Sequence, residues 1–194
     1  MRKELATLLL GLVLVGCSEP SEQVVNAQTA ASAKPDNEIE TYQLLASELL
    51  KDIRIQSEAG LVRTHADNLI QHGSQVLEAF NLAYPQCQPY FNAVLAIRGL
   101  LSGLSLDELE QGYHDGNKLP ELPDPVCYHG KELILHPARV LIIVQDGLDD
   151  DEAYLEAELE MVEAMAHAEQ VKRAIKRSEA AAEEQAIAND STSN

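Results

Sequence analysis

The chain has no tryptophan, two phenylalanines and six tyrosines, too few flat apolar faces to line a sugar-binding cleft. Carboxylates are plentiful, but the paired acids of a glycosidase need such a cleft around them. Positive charge is also scarce: 14 Lys and Arg stand against 32 Asp and Glu, a formal net charge of −18. A surface of that sign repels nucleic acid and anionic lipid, whose recognition depends on basic patches, so nucleic acid is excluded as a partner. There is no Gly-x-Ser-x-Gly elbow, no P-loop and no dinucleotide-type glycine pattern. With no activated nucleophile in sight, no catalytic residue is assigned, and an enzyme is the least favoured of three function classes. Strand signals are poor, Val140–Val144 being the only ambiguous run. No repeat of the length that builds a solenoid is present.

Long apolar stretches are missing too. The run Leu5–Val15 follows Arg2 and Lys3 and is too short for a permanent span, which takes about 20 apolar residues. A basic start, a short apolar segment and a small residue before the cut describe a secretory signal, expected over residues 1–16. Leu14, Val15, Gly16 and Cys17 then match the lipobox, and in these residues the chain resembles the bacterial lipoprotein class. The resemblance is confined to the first seventeen residues. It implies cleavage before Cys17, a diacylglycerol on its thiol and an acyl chain on the new amino group, which together anchor stably where one chain would not. Ser18, in place of an aspartate, implies the periplasmic face of the outer membrane.

Lipidation of Cys17 leaves two of the three cysteines, Cys87 and Cys127, in a compartment that permits disulfides, and they are expected to pair. Removing residues 1–16 takes away Arg2, Lys3 and Glu4 and moves the net charge from −18 to −19. Such acidity keeps a tethered domain soluble and spaced from a negative membrane.

Residues 17–37 are rich in Ser, Ala, Gln, Asn and Pro without helical or strand period. They read as a flexible tether with a span of roughly 25 Å. Residues 189–194 are a polar tail. The intervening 38–188 suit a single domain, and its fold class reads as all-α, an irregular bundle of four to six helices with one disulfide and a long C-terminal helix. Ile39, Tyr42, Leu45, Leu49 and Ile53 form one stripe of helical period, and Val62, Ala66, Leu69, Gly73, Val76 and Phe80 a second, with Gly60 between them. A third helix is expected over Cys87–Leu101. Ser105 and Glu108 match a capping box opening a short helix to Gln111. In Gly112–Pro125, two glycines and three prolines argue for a long irregular loop. Pro137 is expected to kink or divide the helix that follows. The last helix, from about Asp149 to Ala188, should turn Leu155, Leu159, Val162 and Ala166 inward, widened by Met161, Met165 and Ala168.

The loop groups Tyr113, His114 and Asp115 beside Tyr128 and His129. Aromatic and polar residues on a stapled loop suit recognition, so these five are the candidate surface for an envelope protein partner. The function this favours is a lipid-anchored periplasmic binding or scaffold component. Its alternative is a metal or small-molecule carrier between helices. His129 and His136, seven apart, share one face of a continuous helix, and His114 can approach from the loop, giving three imidazoles for zinc or copper. No cofactor is otherwise expected. Against the metal stand Pro137 and the lack of an HExxH or paired CxxC motif. His65 and His72 have the same spacing, but read as edge residues of a core. Met161 and Met165, with His167 nearby, offer soft ligands for copper but at helical spacing read as core filling.

Overall fold

The computed structural model describes residues 35–192 apart from Asn117. The signal segment, the lipidation site Cys17, nearly all of the tether and the end of the tail lie outside the described residues. Among those described there is no strand, and six helices form an irregular bundle with one disulfide and a long C-terminal helix, the architecture that periodicity predicts. None of these helices is long and apolar enough to cross a membrane.

Four helices make the bundle: α1 (Pro35–Arg54), α2 (Ala59–Ala83), α5 (Pro125–Gly147) and α6 (Asp151–Thr192). They run alternately up and down, α1 and α5 each lying between α2 and α6. Antiparallel pairing of α1 with α6 is fixed by Arg54 to Glu158 at 2.7 Å, Gln43 to Glu169 at 3.3 Å and Lys172 to Glu40 at 3.1 Å. Two shorter helices, α3 (Gln88–Leu101) and α4 (Leu106–Leu109), occupy the α2 to α5 connection and pack on α5.

The first two apolar stripes are buried as their spacing requires, except that Leu45 is only half-buried and Ala46 is buried in its place. Gly60 does not separate them. The chain breaks over residues 55–58, where Gln56 takes a left-handed φ of 53°, and Gly60 falls in the first turn of α2. Gly73 is needed for a different reason. A Cβ there would lie 2.9 Å from the Leu133 carbonyl oxygen and 2.9 Å from Ile134 Cδ1, so its absence lets α2 approach the α5 backbone.

Pro137 does not divide α5, which runs unbroken from Pro125 to Gly147. Proline lacks the N–H that would serve the carbonyl four residues back, and the Tyr42 hydroxyl donates to that Leu133 carbonyl instead, at 3.0 Å. The expected inward face of α6 is also corrected. Leu155 and Leu159 are 56 % exposed and Val162 and Ala166 are exposed as well, while Ala157, Met161, Ala164, Ala168, Val171, Ala174 and Ile175 are buried. A face of mostly alanine lets α6 pack closely against α1 and α5.

The capping box forms as expected. Ser105 Oγ accepts from the Glu108 N–H, and the Glu108 carboxylate accepts from the Ser105 N–H at 2.9 Å. Helical winding does not stop at Gly112, however: a single π-helical turn carries it through Glu110–His114. The irregular stretch is thereby shortened, and Asp124 ends it by accepting from the Val126 N–H at 2.9 Å at the start of α5. Cys87 and Cys127 are bonded and fully buried, tying the turn before α3 to the first turn of α5.

Candidate metal centre

On α5, His129, Glu132 and His136 are spaced by three and four residues and so share a face. On α6, Glu160, Glu163 and His167 repeat that spacing. The two helices are antiparallel, so the triplets meet in reverse order: His129 Nδ1 lies 2.8 Å from His167 Nδ1, and His136 Nδ1 lies 2.8 Å from Glu160 Oε2. The π turn brings Glu110 and His114 from a third side, and the ring of His114 sits against those of Tyr128 and His136.

At the centre is Glu132, whose side chain is 0 % exposed. Its Oε1 lies 3.5 Å from His114 Nε2 and its Oε2 lies 3.7 Å from His136 Nε2. Glu163 Oε2 is also 3.7 Å from His136 Nε2. These separations are too long for good hydrogen bonds, and both Glu132 oxygens and His136 Nε2 are buried without a hydrogen-bond partner. Lys131, 2 % exposed, places its ammonium 2.9 Å from Glu132 Oε1, while donating to the His114 carbonyl at 2.9 Å and lying over the Tyr128 ring.

The outer ring of the cluster is built to orient the histidines. His114 Nδ1 is held by Glu110 at 2.9 Å and Asp115 at 3.1 Å. Carboxylates accept and do not donate, so each anchored ring carries a proton on Nδ1 and directs Nε2 inward. Arg139 joins the two anchors, pairing with Glu160 at 2.9 Å and with Glu110. Burial lowers the pKa of His167 to about 4, helped by the neighbouring His136 and His129, and burial also lowers that of His129. Both shifts favour neutral rings, which lets one donate its Nδ1 proton to the Nδ1 lone pair of the other. Burial, then the charge of Glu132, pushes the Tyr128 phenol up to about 12, so it stays protonated.

A cleft of about 450 Å³ reaches the cluster, lined among others by Tyr90, Tyr113, His114, Tyr128 and Lys131. Tyr113 and Tyr128 are half-buried on its wall; of the five residues expected to meet a partner, Asp115 alone is largely exposed, at 76 %. Of the three histidines expected for a metal, His114 and His136 face Glu132 and each other, while His129 meets His167. Sequence reasoning missed Glu110, Glu132, Glu160, Glu163 and Arg139, and considered His167 only beside Met161. His65 is elsewhere, 2.7 Å from Asp52. Met161 is buried in the core and Met165 packs against it.

The fold and this cluster define a helical bundle with a polar, imidazole- and carboxylate-rich interior. No family model matches the chain, and neither a curated protein nor a solved structure is similar to it.

Proposed function

We propose that this bundle binds a divalent transition metal ion in the envelope, held by Glu132 with His136, His114 and Glu163. The observation that carries the reading is Glu132. Burying a carboxylate costs several kcal/mol unless charge and hydrogen bonds compensate it; the Lys131 ammonium stands 2.9 Å from Oε1, whereas the two imidazole nitrogens that face the carboxylate stop short of hydrogen-bond distance. Three nitrogen–oxygen pairs stand 3.5 to 3.7 Å apart, Glu132 with His114, Glu132 with His136, and Glu163 with His136. Neighbouring ligands of an ion bound at about 2.1 Å are about 3 to 3.4 Å apart, so each of these pairs lies just outside ligand spacing, and Glu160 joins His136 and Glu163 in a group whose ligand atoms all lie within 4.8 Å of one another. Neutral imidazole with carboxylate suits zinc, with copper(II) its strongest competitor, and the adjoining cleft gives the ion a way in and out. This favours a carrier over a scaffold.

The lipobox supports delivery of this domain by a lipid on Cys17 to the periplasmic face of the outer membrane. A tethered carrier must pass its ion on, so an envelope protein partner belongs to the same proposal. Membrane fractionation of a Cys17→Ser variant tests the anchor, with release from the membrane expected and retention refuting it. For the metal, the purified chain is stripped with chelator and titrated calorimetrically with zinc chloride. Micromolar or tighter binding that vanishes in Glu132→Gln is expected. Heat no larger than for buffer would remove the reading.

A further inference from the structure

We propose that the centre takes two divalent ions bridged by the Glu132 carboxylate, an inference that rests on the metal-binding reading and extends it. The two inward-facing histidines are oriented separately, His114 by Glu110 and Asp115, His136 by Glu160. They address different atoms of one carboxylate, His114 Nε2 facing Oε1 and His136 Nε2 facing Oε2. A bridging carboxylate uses this pairing of one ring with one oxygen directly, with one ion beside each.

The buried charges nearly balance, Glu132 and Glu160 against Lys131 and Arg139, while Asp115 and Glu163 are 76 % and 63 % exposed. Placement, and not surplus charge, therefore favours two ions. The two positions are not equivalent. Beside Oε2, Glu163 stands ready as a further ligand, 3.7 Å from the same His136 Nε2. Beside Oε1, the Lys131 ammonium already sits at 2.9 Å. It marks a place for positive charge and competes with an ion for it. The His136 side therefore fills first and tightly. The His114 side fills second and more weakly, as the Lys131 side chain swings toward the cleft that it lines.

The test measures zinc per chain on the full protein in detergent, by calorimetry and by elemental analysis after gel filtration at excess zinc. Two ions per chain in two resolved steps are expected. Lys131→Gln should tighten the second step at least tenfold and by more than the first, and His114→Ala should bind one. Manganese(II) adds a readout of the bridge: at two equivalents, an exchange-coupled paramagnetic resonance spectrum should replace the six-line signal of an isolated ion. One zinc per chain in both the wild type and Lys131→Gln overturns the two-ion proposal and leaves the metal-binding reading standing. No zinc at all removes both. Two ions with uncoupled manganese signals overturn the bridge.

Discussion

The Tyr42 hydroxyl donates to the Leu133 carbonyl at 3.0 Å, and this is the α5 carbonyl that Pro137 cannot serve. The contact crosses the bundle past Gly73, whose missing Cβ would stand 2.9 Å from the carbonyl oxygen and 3.3 Å from the tyrosine ring. A helix break expected from a proline is thus repaired by a tyrosine some ninety residues away and a glycine that makes room for it. The repair keeps His129, Glu132 and His136 on one face.

Tyr42→Phe should leave a buried carbonyl unserved and cost about 1 to 3 kcal/mol. Pro137→Ala restores the N–H to that carbonyl, so the same phenylalanine should cost clearly less in its background. Urea midpoints of the four proteins in the cycle measure this coupling. An equal cost in both backgrounds would show that the hydroxyl does not stand in for the missing amide.

The Cys87–Cys127 bond closes a loop with a sequence separation of 40, which on the chain-entropy account contributes about 4 kcal/mol. That loop contains α3, α4 and the π turn with Glu110 and His114. Reduction, or Cys87→Ser with Cys127→Ser, should lower the unfolding midpoint by several degrees and loosen the third wall of the centre. Zinc affinity should fall more than it does for Ser105→Ala, which removes only the α4 cap at about 1 kcal/mol. Unchanged affinity in the reduced protein would mean that the π turn holds its place without the staple.

Apolar period made α1 and α2 legible, because both bury their large aliphatic side chains. It failed on α6, where Leu155 and Leu159 face solvent and the buried stripe is largely alanine. Hydrophobicity alone cannot distinguish a small inward residue from a bland outward one. The centre was half legible: His129 and His136 stand seven apart, but the assumption that Pro137 breaks the helix discounted them. Glu132 between them, and the repeat of the same spacing in Glu160, Glu163 and His167, were signals present in the sequence. They were passed over because a carboxylate on a helix is usually solvated. Only antiparallel pairing of α5 with α6 turns these ones inward.

Acid should destabilise the metal-free protein through His167. Its pKa falls from about 6.5 unfolded to about 4 folded, so as pH drops the unfolded chain takes up the proton first. The stability this ring contributes is complete above pH 6.5 and is lost progressively as pH falls toward 4. His129, lowered in the same direction, adds to the effect. Thermal midpoints at pH 7.5 and pH 5 should therefore differ more in the wild type than in His167→Gln. Equal differences would place the acid sensitivity outside this pair.

Arg139 is the remaining element whose role can be separated from ligation. It touches no inward-facing nitrogen, yet it pairs with Glu160 and Glu110, the carboxylates that orient His136 and His114. Arg139→Met keeps the length of the side chain and removes the charge that holds the two anchors together. Repulsion between the freed carboxylates should let both rings turn. Loss of such an outer partner typically weakens metal binding 10- to 100-fold. Arg139→Lys keeps the charge but not the fork that reaches both anchors, so it should recover part of the affinity. Calorimetric zinc affinities of the three proteins decide the matter: full recovery by lysine would reduce the role of Arg139 to charge alone, and no loss in the methionine variant would remove it from the centre.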